Sequence, residues 1–491
     1  MGEEKKSGRI SRRDFIRAAG VGALAAGIGT NISILHGSED LLDQTNIDPN
    51  DPRFRPMLEE LQGNILSSHG RDHSLHIFLQ FNSDPDTAKK WVRSFARNYV
   101  TSAKKQASEA DRFRHERTSG GLFANFFLSA RGYVALGFSL QTIPSDRSFL
   151  SGMKSNGTRS KLNDPEVSNW EEGFQDEIHA LILLADDSRE KLDHEEGIIR
   201  EEVEKVANVL TVEVGNRLKR NGQGIEPFGY ADGISQPLFL KGAIERAKSH
   251  GTSKWDPSAP LALVLLEDPG GPTGHSFGTY LVYRKLEQNV AGFKRRRRTL
   301  AEKLGIDEEL AGALAVGRFR NGTPVALQST PELENISNNF DYADDRDGTK
   351  CPFHAHIRKT NPRGDSPDGV RGERRHRIVR RSTAFGAQNL PLEPTEGVGL
   401  LFMCYQSSIV KQFEFMQSSW ANKLHFPRQN TGLDPIGGLG EQLTGGQLWP
   451  RRWGSGLDSN DLVHFDFSGL VSMKGGEYFF SPSIGFLRQI E

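Results

Sequence analysis

The order of apolar runs along the first half of the chain leaves few folds open. "LHIFLQF" (Leu75 to Phe81) has the length and near-continuous apolar character of a buried strand. The next stretch predicts a helix over 86–107, because Trp91, Phe95 and Tyr99 recur at intervals of four. "LFANFFL" (Leu122 to Leu128) and "IHALILLA" (Ile178 to Ala185) read as two more strands, and the polar Gly/Ser/Asn/Asp stretch over 145–172 between them predicts a long loop. A helix follows from about Ser188, with Leu192, Ile199, Val203 and Val206 in one stripe, and "LTVEVGNRL" closes the series as a strand. Strand, helix, strand, strand, helix, strand is the order in which two crossover helices cover one face of an antiparallel sheet.

The second half offers the same ingredients. "LALVLLE", "GTYLVYRKL", "HIRKT", "RIVRR" and "GLLFMCYQ" are strand-like, and helices are predicted over 287–304 and 307–315. "IVKQFEFMQSSW" predicts a helix, since Ile409, Phe413, Met416 and Trp420 fall four, three and four apart. "EYFFSPSIGFL" predicts a closing strand pair. The expected fold is α+β, two ferredoxin-like units fused as a pseudo-dimer, over 57–245 and 246–491. A signal region (1–40) and a linker (41–56) rich in Asp, Asn and Pro precede them. The repeat is one of architecture, without a shared sequence period.

A chain of 491 residues exceeds one ordinary core, which agrees with two units. Lys plus Arg is 62 against 63 for Asp plus Glu, so nothing in the charge balance asks for nucleic acid. The basic run Lys294 to Arg298 reads as a solvated face. Two cysteines, Cys351 and Cys404, exclude a disulfide-stapled scaffold, and their apolar neighbours favour buried free thiols. At the N-terminus, "SRRDFIR" (Ser11 to Arg17) before "AAGVGALAAGIG" resembles a twin-arginine export signal. The apolar run is too rich in Gly and Ala for a membrane span. That route carries folded proteins, often with a cofactor in place.

Three clusters carry chemistry. In "FGYADGISQP" (Phe228 to Pro237), Gly229 and Gly233 flank Asp232 and let the backbone approach something bulky; the plain alternative is a tight turn. In "TKCPFHAHIRKTNPR", a strand would put His354 and His356 on one face, beside Arg358, Lys359 and Arg363. A ferric porphyrin needs both an axial imidazole and cations for its propionates. In "HRIVRRSTAFG", Arg380 and Arg381 point to opposite faces of a strand, so one faces inward and wants an anion.

Together, "GYADG", "CPFHAHIRKTNPR" and "RIVRRSTAFG" resemble the signature blocks of the dye-decolourising peroxidases, haem enzymes of the ferredoxin-like pseudo-dimer fold. "LQGNIL", "GTYLVYRKLEQNV", "GRFRNGTP", "GLLFMCYQ" and "QFEFMQSSWAN" agree in order, from about residue 58 to the end, and the likeness is to the longer-loop branch. The resemblance implies haem b held in the C-terminal unit, with His356 as proximal iron ligand and Arg363 on a propionate. It makes Asp232 the distal acid–base, Arg380 the distal electrostatic stabiliser, and Leu400 and Phe402 part of the distal wall. Asp434, in "GLDPIGG", is the expected partner of the proximal imidazole, with Glu441 second. His354 stands where members commonly carry a small residue and either reaches a propionate or fills space.

The implied reaction is reduction of hydrogen peroxide to water through a ferryl intermediate, with dyes or phenols as electron donors. Large donors would deliver electrons through surface Trp or Tyr, with Trp420, Trp449, Trp453, Tyr405 and Tyr478 as candidates, although a core role suits Trp420 better. The implied partners are peroxide, aromatic donors, the twin-arginine machinery and a second copy in a homo-oligomer, and the implied location is periplasmic or extracellular. Two other readings stand beside this one: a haem- or iron-handling protein without peroxidase turnover, and a non-haem metal protein using His354, His356 and His376. The second leaves Asp232 and Arg380 without a task.

Overall fold

Eight strands close into a barrel in the computed structural model, which describes residues 38–334, 336–386, 393–455 and 462–491. Strands β1 (His73–Phe81), β2 (Phe123–Leu128), β3 (Ala180–Asp186) and β4 (Ala207–Asn216) lie side by side as β2-β3-β1-β4. Strands β5 (Phe277–Gln288), β6 (Thr383–Phe385), β7 (Gly399–Gln406) and β8 (Val471–Ser481) lie as β8-β5-β7-β6. Counted within its own half, each set reads 4-1-3-2 and every pairing is antiparallel, the expected ferredoxin-like order repeated. The two sets meet at two narrow seams, Phe480 opposite Leu128 and Ala384 opposite Asn216.

Alternation along the strands divides the C-terminal sheet into two faces. Leu281, Tyr283 and Tyr405 turn into the barrel, where the Tyr283 ring meets Phe78 of β1 at 4.9 Å. Arg284, Leu286, Leu400 and Phe402 turn the other way and line a cavity. Helices α4 (Val290–Leu304) and α5 (Glu308–Val316) arise close to prediction, as does α3 (Arg189–Val203), capped by Ser188.

The structure corrects several local expectations. The helix expected over 86–107 is two, α1 (Pro85–Asn98) and α2 (Ala103–Glu116), because the backbone of Thr101 leaves the helix to bond Ala124 and Gly63. The polar stretch over 145–172 holds short helices at Arg147–Ser151 and Asn156–Leu162. Its Asp146 and Ser155 are N-caps, the same residue types that read as loop. "LALVLLE" is a tight turn at Leu261–Leu263 followed by a two-residue strand, Leu266–Glu267. The closing strand pair is one strand and one helix: β8 ends before Pro482, and Ser483 caps Ile484–Gln489. In "IVKQFEFMQSSW", the Gln412 side chain holds 408–412 as a loop by bonding Ser408, Leu263 and Arg377. Only Phe413–Phe415 is α-helical, and it widens into a π-turn over Met416–Ala421.

The linker expected over 41–56 packs on the body, with Ile47 and Phe54 buried and Ile47 paired with Leu240. Both cysteines are free and buried. Arg296, Arg297 and Arg298 of the basic run pair with Asp466 and Glu308. The twin-arginine stretch and the apolar run after it lie outside the described residues.

Candidate functional site

His356 reaches the cavity from helix α6 (His356–Thr360), where a strand was expected. The turn forms because the Ala355 amide bonds the Pro352 carbonyl, and the Arg358 and Lys359 amides bond Ala355. Side chains two apart therefore diverge. His354 is buried against Trp449, ring centroids 4.3 Å apart, and does not line the cavity. Arg358 locks the segment in place through Asp345 and Asp365, each at 2.8 Å.

The imidazole of His356 has one fixed partner. Its Nδ1 lies 2.8 Å from Oδ2 of Asp434, which is fully buried. The other Asp434 oxygen accepts from the amides of Ile436 and Gly437 at 2.8 and 3.1 Å. Burial by itself would raise the Asp434 carboxyl; the adjacent His356 and the two amides outweigh it and hold the group below its ordinary range. A carboxylate there makes Nδ1 the donor and leaves the Nε2 lone pair free to ligate a metal. Glu441 is exposed and has no part in this pair.

Asp232 sits on a hairpin bent through left-handed glycines, Gly229 (φ 96°) and Gly233 (φ 76°). Among the described residues its side chain accepts only the amide of Gly233, at 2.6 Å, and it lines the cavity. Arg380 lines the same cavity, donates to the Ile234 carbonyl at 3.1 Å, and keeps a buried Nε without a partner. Arg381 faces the other way and binds the carbonyls of Asn64 and Ile65, both at 2.8 Å. Leu400 and Phe402 supply apolar wall from β7.

Asp232, His356, Arg363, Arg380, Leu400, Phe402 and Asp434 thus share one cavity of about 280 Å³, room for a ligand rather than a few waters. Its arginines make it an anion site. Arg318 and Arg363 are buried, share the Asn338 side-chain oxygen at 2.6 and 2.9 Å, and have no carboxylate partner among the described residues. Burial pushes Arg318 down to about 10 and Arg363 and Arg377 to about 9; Arg318 further repels Arg363, and Arg374 repels Arg377. Leaving such charges uncompensated costs several kcal/mol each (~3–5). A ligand with two carboxylates and an axial position for imidazole satisfies both halves of the site, so the residues fit haem.

Arg318, Arg377 and Glu226, all lining the cavity, escaped the sequence reading. Arg318 stood in "GRFRNGTP", but nothing in that string marks it as buried and unpaired. Glu226, six residues before Asp232, accepts from the Phe228 and Tyr230 amides and from Gln288 at 2.8–2.9 Å. Burial pushes it up to about 7.

The expected surface donors fare differently. Trp420, Trp449, Tyr405 and Tyr478 are all buried, whereas Trp453 is half-buried under Lys350. The histidine cluster needed by a non-haem metal does not assemble: His376 stacks on Phe415 at 3.8 Å while His354 faces Trp449. Among the described residues, no three His, Cys, Asp or Glu side chains are placed to hold a metal ion.

Residues 60–217 match the family described as "DyP dimeric alpha+beta barrel domain", and residues 250–426 match "Dyp-type peroxidase, C-terminal". The multifunctional dye peroxidase DyP2 of Amycolatopsis sp. is 41% identical over 462 residues, covering 88% of this chain and 96% of its own. The dye-decolorizing peroxidase msp1 of Mycetinis scorodonius is 30% identical over 469 residues, covering 88% and 87%. Among solved structures, a DyP-type peroxidase of Anabaena sp. is 48% identical with a TM-score of 0.88, covering 92% of this chain and 99% of that one. A dye-decolorizing peroxidase in complex with 2,6-dimethoxyphenol is 27% identical with a TM-score of 0.73, over 88% of this chain and 98% of its own.

Proposed function

The chain belongs to the DyP-type peroxidase family and is a haem-dependent peroxidase, and from that premise we propose that it reduces hydrogen peroxide while oxidising dyes and phenols, with His356, Asp232 and Arg380 in the reaction. The observation that carries the assignment is the cavity that joins the His356–Asp434 pair to unpaired arginines and a free carboxylate. Haem, when bound, would be held by His356 and by Arg318, Arg363 and Arg377, and would supply the redox chemistry that reduces peroxide.

The chain's own groups do the rest. His356 ligates through Nε2, and Asp434, accepting the Nδ1 proton, fixes the ring's orientation and strengthens its donation. Arg318, Arg363 and Arg377 hold the carboxylates of the cofactor. Asp232 takes a proton from one peroxide oxygen and returns it to the other. Arg380 stabilises the negative charge that develops on the departing oxygen. Leu400 and Phe402 keep that space apolar, where such charge stabilisation is strongest. Of the aromatic side chains considered as relays to large donors, Trp453 is the best supported, being the one with access to solvent.

The test is a visible spectrum of the haem-reconstituted protein before and after one equivalent of peroxide. The Soret band should shift, then return when a dye or phenol is added. A band indifferent to peroxide would mean a haem-handling protein, and no band would reject haem altogether.

Export by the twin-arginine route, to the periplasm or beyond, is supported by "SRRDFIR". Exchanging Arg12 and Arg13 for lysine should leave the protein in the cytoplasmic fraction. Unchanged export would reject the signal.

A further inference from the structure

Lys359 lies three residues beyond His356 on α6 and is fully buried. Its ammonium crosses to two other stretches of chain, donating to the carbonyl of Lys423 at 2.7 Å and of Gly432 at 2.6 Å. Both acceptors are neutral, and no carboxylate is within ion-pair distance of it among the described residues. A neutral donor would satisfy the same two carbonyls without the cost of desolvating a charge. Fastening α6 does not require it either, because Arg358 already ties the helix to Asp345 and Asp365. The charge is therefore the feature to explain. Gly432 stands two residues before Asp434, so the ammonium is bonded to the same short stretch of chain that carries the carboxylate.

We propose that Lys359 is a positioning residue for the reaction, whose fixed charge behind Asp434 draws on that carboxylate and so limits how strongly it pulls the Nδ1 proton of His356. This rests on the reading of His356 as the iron ligand. With the charge removed, Asp434 answers only to the imidazole N–H and the Ile436 and Gly437 amides, the bond to the imidazole tightens, and Nε2 becomes a stronger donor to iron. A lost positive charge near the haem acts in the same direction, favouring ferric over ferrous iron.

The experiment compares haem-loaded wild type, Lys359→Gln and Lys359→Met at about pH 5.5, below the region near 7 to which burial pushes the ammonium. Gln keeps an amide that can serve the two carbonyls, so it removes charge more than fastening. Two readouts matter: the ferric/ferrous potential, and the iron–histidine stretching frequency of the ferrous protein. In both variants the potential should fall and the frequency should rise. A residue that only fastens would do the opposite, because a loosened His356–Asp434 bond weakens donation. Opposite shifts, or none, overturn the proposal, as does a protein that folds with neither Gln nor Met. Failure of the His356 assignment is told apart in the wild type, which would then show no iron–histidine stretch.

Discussion

Replacing His356 by alanine should strip the protein of most of its haem, lowering Soret absorbance per protein about tenfold or more at fixed haem supply. The cationic side of the cavity would survive: Arg318, Arg363 and Arg377 are anchored to backbone and amide oxygens that do not involve His356. Each charge-assisted bond to a carboxylate contributes only ~1.5–3 kcal/mol net, so the arginines alone should retain haem weakly and without one orientation. The substitution also leaves Asp434 fully buried with two amides and no imidazole. That can lower stability independently of the cofactor, so the companion variant His356→Ala with Asp434→Asn separates the two effects. Both should lose haem, and only the single variant should lose stability. Imidazole added to either should restore part of the Soret band by filling the space the side chain left. A His356→Ala protein with an undiminished Soret band would remove His356 from the iron and leave the cavity without an evident ligand.

Much of this site was legible because its residues sit in contiguous strings with strong local signals. The glycines around Asp232 signal a left-handed hairpin, and the structure uses both of them in that conformation. Adjacent arginines on an extended segment must part, and Arg380 and Arg381 do. The relation of His354 to His356 was misread for the same kind of reason. A period-two argument holds only for extended backbone, and the Pro352–Ala355 turn makes this stretch helical. The break between α1 and α2 and the loop before Phe413 are set by partners far along the chain, Ala124 in one case and Leu263 in the other. No local period carries that information. Arg318 and Lys359 illustrate the limit best, because their meaning lies in what they lack: a carboxylate within ion-pair distance among the described residues.

Replacing Asp232 by alanine should leave the haem in place and slow the peroxide-driven Soret shift by ~10²–10⁴-fold, the usual contribution of a positioned proton carrier. Haem retention follows from how the hairpin is held. Asp232 is tied to Gly224 and Ala231 to Arg320 by backbone, and among the described residues the Asp232 side chain bonds only its own neighbour. The lost factor corresponds to ~3–5 kcal/mol of barrier, and stopped-flow mixing with peroxide measures it directly. Arg380 remains in the variant and should preserve a residual rate, since stabilising the departing oxygen does not require a proton carrier. With Asp434 engaged by the imidazole of His356, Glu226 is the natural candidate for a substitute, but it already spends its oxygens on Phe228, Tyr230 and Gln288. It is built to hold the hairpin rather than to move a proton to a ligand. Adding Glu226→Gln to Asp232→Ala should therefore leave the residual rate nearly unchanged. A further large drop would show that Glu226 had taken over, while full activity of Asp232→Ala itself would take the acid–base role away from Asp232.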